Sequence, residues 1–379
     1  MSSIPRCLFS RRPVAGGGDG SGLKGWLIAA SREVDLWGRV RYGARASEDQ
    51  FASAQADAEY ARQSIAALVV KAWFGAIEAQ MQYDLSVEMI HRADDLHALA
   101  QQRLRIGGGT QIDVESAQAS LQTYRDAARQ LKLVRDQSVR ALEILVGRYP
   151  AAELSVPARF GPLPAMLPAG LPSELLERRP DVIAAERRVS AAFDLQQQAE
   201  AARLPRITLS AGLLSVSSEL FVLADRDNPS WSAGAGVLVP IFQGGALKAQ
   251  ADVRSAEQEQ ALASYGQIAL QAFGEVENAL SAESALRERE TLLTQAVTDN
   301  ANLFDLEKVR YKVGSADLRA VAQQELVYAS SRSALLQVQS EESMQLANLY
   351  LALGGGFKAA PSQGNAALSS AQESRVAAP

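Results

Sequence analysis

Residues able to do chemistry are few in this chain of 379 residues, and their spacing argues against a catalytic or metal centre. His91 and His97 are the only histidines. Six positions apart on a helix, they fall on different faces, whereas a helical metal pair needs i and i+4; both read as parts of a solvated face. Cys7 stands alone, so no intrachain disulfide and no cysteine-based metal cluster can form. Gly16 to Gly22 is rich in glycine but continues into Leu23-Lys24, without the Gly-Lys-Ser/Thr that grips a phosphate and its magnesium. The carboxylates are scattered along the chain among Lys and Arg, as on solvated helix faces. With 38 Lys and Arg against 43 Asp and Glu the net charge is −5, and no basic field for nucleic acid stands out. No catalytic, cofactor-binding or metal site is expected, and an enzyme would need a convergent nucleophile, base and orienting group.

The elements that would have to position any site are more informative, because they occur twice. One helical hairpin leaves a strand-like end at Val34-Asp35-Leu36-Trp37-Gly38, turns after Arg103-Leu104-Arg105-Ile106-Gly107 and returns to Leu142-Glu143-Ile144-Leu145-Val146-Gly147. The second leaves Val239-Pro240-Ile241-Phe242-Gln243-Gly244, turns after Arg310-Tyr311-Lys312-Val313-Gly314 and returns to Leu349-Tyr350-Leu351-Ala352-Leu353-Gly354. Trp37 to Phe242, Gly107 to Gly314 and Gly147 to Gly354 are separated by 205, 207 and 207 positions, which indicates an internal duplication. Ala72-Trp73 answers Ala272-Phe273 at an offset of 200, so a slip of register is expected inside the descending helices.

Proline placement supports long helices. Pro13 is followed by none until Pro150, and Pro240 by none until Pro361, while six prolines crowd into Pro150 to Pro172 and mark an irregular linker. Phe51, Ala54, Ala58, Ala61, Ile65, Leu68 and Ala72 recur at spacings of three and four, a heptad seam by which this helix should pack lengthwise against others. From Trp37 to Gly107 a continuous helix at ~1.5 Å per residue spans about 100 Å, far longer than a globular core uses. No run of 18 apolar residues suggests a transmembrane helix.

Two segments alternate like strands. Arg206 to Val216 sets Ile207, Leu209, Ala211 and Leu213 on one side, and Trp231 to Phe242 does the same with Trp231, Ala233, Ala235, Val237 and Val239. Each has the length of a tilted membrane strand with apolar residues toward lipid and small or polar ones toward a lumen. A soluble hairpin would alternate in the same way; attachment to hundred-ångström helices favours the membrane reading.

Leu171-Pro172-Ser173-Glu174-Leu175-Leu176-Glu177-Arg178-Arg179-Pro180-Asp181, followed by Ala184-Ala185-Glu186, closely resembles the signature of the TolC-like outer-membrane efflux channels, and in particular their NodT-type lipoprotein branch. Leu204-Pro205-Arg206-Ile207, Val239-Pro240-Ile241-Phe242, Ala272-Phe273-Gly274-Glu275-Val276-Glu277-Asn278-Ala279-Leu280 and Glu33-Val34-Asp35-Leu36-Trp37-Gly38-Arg39 are similar to the same family.

The resemblance implies a mainly α fold with membrane β-structure. Duplicated helical hairpins would form a periplasmic α-barrel, and strands would join a transmembrane β-barrel shared by three protomers. It implies a passive exit duct for drugs or other small molecules, driven by an inner-membrane RND-type pump through a periplasmic adaptor. The partners are then two further copies, adaptor, pump and outer-membrane lipid, with no cofactor and no nucleic acid. By similarity the tips that meet the adaptor are Gly107, Gly108 and Gly109 in the first copy and Val313, Gly314 and Ser315 in the second. The helix starts beyond them would line the aperture, with Asp113 in the first copy and Asp317, Leu318 and Ala322 in the second. Leu318 stands where the family often has an apolar constricting residue, and Ala322 is nearest to a family aspartate that this chain lacks. Asp317 can supply a ring of three negative charges, act as a helix N-cap, or both.

The expected organisation is a flexible leader (1–25), a first repeat of one strand and a long hairpin (26–149), a Pro-rich linker (150–172), a second repeat of ascending helix, two strands and hairpin (173–357), and a disordered tail (358–379). The first repeat lacks most of the ascending helix and first strand of the second. The segment before Trp26 shows no apolar signal core, and Ile4-Pro5-Arg6-Cys7 does not resemble a lipidation site. The expectation is a start further upstream or a truncated remnant of the channel; a soluble coiled-coil scaffold or periplasmic adaptor is the other alternative. Arg32 falls in the remaining first-copy strand where an aromatic is usual, although an arginine facing the lumen would be tolerable there.

Overall fold

The computed structural model describes residues 24–162, 178–217 and 230–355. The leader before residue 24, residues 163–177 at the end of the linker and the start of the second repeat, the loop 218–229 and the tail lie outside the described residues. The elements run β1 (Lys24–Val34), α1 (Arg39–Arg105), α2 (Gln111–Leu145), α3 (Pro180–Ala201), β2 (Arg206–Ser217), β3 (Ser230–Leu238), α4 (Ala246–Lys312) and α5 (Leu318–Ala352).

The duplication is sharper in structure than in sequence. Helices α1 and α4 both contain 67 residues, and α2 and α5 both contain 35. Their first residues, Arg39 and Ala246, then Gln111 and Leu318, are each 207 positions apart. The expected register slip at Ala72-Trp73 is therefore not in the helices, which keep one offset from end to end. A difference of seven residues is one heptad, so the shifted match in sequence still compares positions on one helix face.

The cause of the equal lengths is how each helix stops. Gly107, Gly147, Gly314 and Gly354 all have positive φ, between 74° and 89°, a conformation open to glycine at little cost. At each stop the following amide reaches back five residues (Gly108 N to Arg103 O, Arg148 N to Glu143 O, Ser315 N to Arg310 O, Gly355 N to Tyr350 O), while the glycine amide reaches back three. These four Schellman closures satisfy carbonyls that a helix end would otherwise leave bare.

Two compact units divide the described residues, one built from those up to residue 56 and between 183 and 268, the other from those between 57 and 182 and from 269 onward. In the first, β1, β2 and β3 form an antiparallel sheet in that order. The register sets Ile28, Ala30, Arg32 and Val34 opposite Leu213, Ala211, Leu209 and Ile207, and these opposite Trp231, Ala233, Ala235 and Val237. Apart from Arg32, one face is thus apolar across all three strands, and Ile28, Leu209, Leu213, Trp231 and Val237 are exposed on it. Arg32 shares this face with Leu209. It stands two residues from the strand end, where a long side chain can carry its charge back to the aqueous boundary. Strand β3 is shorter than expected and ends at Leu238, since Pro240 has no N–H for a ladder. Asp35 caps the start of α1 by accepting from the amides of Val40 and Arg41, both at 3.0 Å. Asp49 and Arg45 of α1 hold α3 through Arg187 and Ser190 on one side and Asp194 on the other.

In the second unit small apolar clusters replace a single core. Ala76, Val139 and Leu142 join α1 to α2, and Val276, Ala279, Leu349 and Leu353 join α4 to α5. An 18-residue window of α1 reaches a mean hydropathy of 1.2, a value met by length and composition alone. The seam residues Phe51, Ala54, Ala58, Ala61, Ile65 and Leu68 are exposed on this chain. The linker residues 150–162 are irregular, as the prolines predict, and Glu143 ties them down. Its buried carboxylate accepts from the amides of Ala152, Glu153 and Leu154 at 2.8, 2.9 and 3.0 Å, holding Ala152 at φ 60°. Burial works to raise the Glu143 pKa, but the three backbone donors win and lower it.

The Arg-Arg-Pro-Asp motif finds its physical reason here. The Arg179 guanidinium is 1% exposed, paired with Asp181 at 2.7 Å and Glu275 of α4 at 2.8 Å, and donates to the carbonyl of Ala352 at the end of α5. Desolvation opposes its charge, yet the two carboxylates hold it more firmly protonated than a free arginine. Arg179→Met is expected to destabilise the chain by about 3 kcal/mol, because two carboxylates and a carbonyl lose their common donor. Gly354→Ala should cost more than Gly147→Ala. Both demand positive φ at about 1–2 kcal/mol, but a Cβ at Gly354 also meets the Arg178 backbone at 3.0 Å while Gly147 faces open space. Thermal unfolding in detergent followed by circular dichroism checks both, and equal losses for the two glycines would refute the close-approach account.

Candidate functional site

Both helical hairpins turn at a tip, and the two tips meet in the second unit. In the first, α1 closes on Gly107 and the chain re-enters a helix through a capping box: the Thr110 hydroxyl accepts from the Asp113 amide, and the Asp113 carboxylate accepts from the Thr110 amide at 2.9 Å. In the second, α4 closes on Gly314 and Asp317 is the N-cap of α5, its carboxylate accepting from the Ala320 amide at 2.8 Å. Ile106, Ile112 and Val313 stand around these turns and are 75%, 76% and 73% exposed.

Beneath the turns lies an apolar cluster of Leu96, Ala100, Ala117, Phe304, Tyr311, Leu318 and Val321, drawn from all four long helices. Leu318 is 4% exposed within it. In this conformation its side chain faces the interior of its own chain, because an apolar residue just inside a helix start is drawn into the cluster. Asp317 and Arg319 are exposed at the same helix start, whereas Ala322 and Asp113 are half-buried.

One residue the sequence reading missed fastens the tips to each other. The Arg103 guanidinium donates to the Tyr311 carbonyl at 2.6 Å and to the Gly108 carbonyl, and lies 4.4 Å from the centroid of the Tyr311 ring. A single planar cation thus holds the end of α4 and the turn after α1 together. Burial pushes the Tyr311 phenol up, and the nearby Asp113 carboxylate adds to the shift. The available signal was that arginine stands four residues before both turn glycines, at Arg103 and Arg310. Only structure separates them, since Arg310 pairs with Glu307 on its own helix.

A sequence model of the outer membrane efflux protein family matches residues 10–148 and 171–355. The chain belongs to that family. It is 31% identical to outer membrane protein OprJ of Pseudomonas aeruginosa over 335 residues, 87% of this chain and 70% of OprJ. It is 30% identical to the pyoverdine export outer membrane protein OpmQ of the same species over 339 residues, 87% and 70% of the two chains. Among solved structures, the outer-membrane channel OprN matches with a TM-score of 0.81 at 27% identity, covering 93% of this chain and 80% of OprN. The fold is that of the TolC-like channels, and the protein is an outer-membrane component of an efflux system. Its relatives are channels and efflux proteins rather than enzymes.

Arg103→Ala in this efflux channel should loosen both tips at once. Tryptic cleavage after Arg105 and Lys312 is expected to accelerate about tenfold, the loss of a charge-assisted hydrogen bond or two. Arg103→Lys should recover little of it, lacking the planar fork. Unchanged cleavage rates in Arg103→Ala would sink this role.

Proposed function

We propose that the protein is the passive exit duct of a tripartite pump, working as a homotrimer through which a periplasmic adaptor and an inner-membrane RND-type pump expel small molecules. The pair of matched tips carries this reading. Two glycine turns, 207 residues apart and closed by the same hydrogen-bond pattern, present exposed Ile106, Ile112 and Val313 where an adaptor would dock. Gly107, Gly108 and Gly109 with Val313, Gly314 and Ser315 form the docking rim. Behind it the exposed Asp317 side chains of three protomers would ring the aperture while still capping their helices, with Asp113 and Ala322 set back from it. Leu318 belongs to the packed base on which that ring moves.

Two features support the trimer. The seam from Phe51 to Leu68 is exposed on the isolated chain with the spacing of a helix-packing surface. In addition, β1 and β3 are edges of the sheet among the described residues, and a membrane sheet needs its edges paired. The cargo is of the small-molecule class that OpmQ's name exemplifies, and an outer-membrane duct lined by helices leaves its selection to the pump.

Deleting the gene in its native host should raise accumulation of an efflux dye severalfold, and restoring the full-length gene should reverse this. No change in accumulation, in a strain whose other outer-membrane ducts are removed, would overturn the efflux reading. The double substitution Ile65→Glu with Leu68→Glu should leave the protomer's melting behaviour intact, both residues being exposed, yet convert trimers into monomers. The mass in detergent by light scattering reads this, and a trimer that survives both charges would place the protomer contact elsewhere.

A further inference from the structure

Along the inward face of α5 the residues Leu318, Val321, Glu325 and Tyr328 are all buried, and Glu325 is the odd member. It is 1% exposed and lies on α5 between the tip cluster, which ends at Val321, and the next apolar cluster of Leu85, Met89, Tyr328 and Leu336. Its Oε1 has no hydrogen-bond partner among the described residues. A carboxylate desolvated in this way is costly when charged and tolerable when protonated.

The charged groups facing Glu325 come from α1 and α4, and both are engaged elsewhere. Arg92 of α1 attracts it, but donates both Nε and Nη2 to Glu88 and spreads over the rings of Phe304 and Tyr328 at 5.2 and 4.7 Å. Lys308 of α4 attracts it as well, yet lies 3.7 Å from Asp95. Tyr124 of α2 is a half-buried phenol whose own ionisation both burial and the Glu325 charge oppose. Neither cation can turn to Glu325 without leaving a carboxylate at the surface, and for Arg92 the two aromatic rings as well.

We propose that Glu325 is a proton-binding site of the tips, which fastens the four-helix packing when protonated and loosens it when it ionises. Burial pushes this carboxyl up from 4.5 to about 7 against the pull of Arg92 and Lys308. A raised value in the packed state means that packing is most favoured where the carboxyl is protonated, below 4.5. The advantage is lost as pH rises through about 7. Three protomers would bring three such sites to one aperture, so the loosening would be felt around the whole ring. The site rests on the duct reading for its purpose, since tip movement is what would open the channel.

The test is amide hydrogen exchange of the full chain in detergent, corrected for intrinsic rates and read on peptides covering 96–124 and 304–328. Between pH 6 and pH 8 one proton centred on that range should lower protection about tenfold in the wild type. Glu325→Gln, which keeps shape and removes the charge, should give a flat profile. Should that variant fold poorly, Glu325→Met serves the same purpose. A wild-type profile that is flat, or a pH dependence that persists in the folded Glu325→Gln or Glu325→Met protein, overturns the proposal. A flat wild-type profile in a chain that still forms efflux-competent trimers would remove the proton site alone. Proton-linked protection in a chain without efflux would remove the duct reading alone.

Discussion

Helix continuity is the constraint on which the rest depends. A helix of 67 residues paired with one of 35 works as a hairpin only if both stop where their neighbours stop. The stop is supplied by a residue that leaves the right-handed region without strain. Gly107 and Gly314 end the two long helices, and Gly147 and Gly354 end the two short ones. The same six-to-one closure at all four places turns a duplicated sequence into a structure with one offset. Once the stops are fixed, side chains of the two copies can diverge freely. Trp37 and Phe242 differ in spacing from the glycines for that reason, being outside the helices.

Much of this was legible in the residues. Glycines at matched positions, proline-free runs bounded by prolines, and period-two alternation from Ile207 to Leu213 each have one dominant physical reading. Helix faces were less legible. The seam from Phe51 to Leu68 has heptad spacing, but spacing says only that a face packs, not against what, and on this chain its residues are exposed. Strand pairing is likewise non-local: the register with β2 sets Arg32 opposite Leu209, a long-range pairing that local alternation does not specify.

At the tips, single residues divided in the same way. Asp317 as a helix cap follows from local chemistry, because an aspartate just before a helix start accepts its free amides. The burial of Leu318, the clamp made by Arg103 and the isolation of Glu325 do not follow locally. Each depends on which of four helices lies beside it, and sequence spacing along one helix carries no such information. Similarity to the family placed the tips, yet the conformation of their side chains belongs to this chain.

The buried polar groups suggest why a scaffold so rich in alanine settles in one register. Small residues on a helix face let neighbouring helices approach closely but distinguish poorly between a correct alignment and one shifted by a heptad. Arg179 distinguishes absolutely, since it must reach Asp181, Glu275 and the Ala352 carbonyl together. Sliding α4 by one turn carries Glu275 ~5.4 Å away, beyond any hydrogen bond. Arg103 sets the same condition at the tips, and Glu143 sets it where the chain leaves α2. Removing one member leaves its partners stranded, whereas replacing a whole network by apolar residues can be neutral or favourable in energy alone, so the value of the network here is in alignment. Glu325 differs from them in lacking a partner for Oε1. A polar group that fixes register is satisfied in the packed state, whereas one left unsatisfied makes the packed state conditional on a proton.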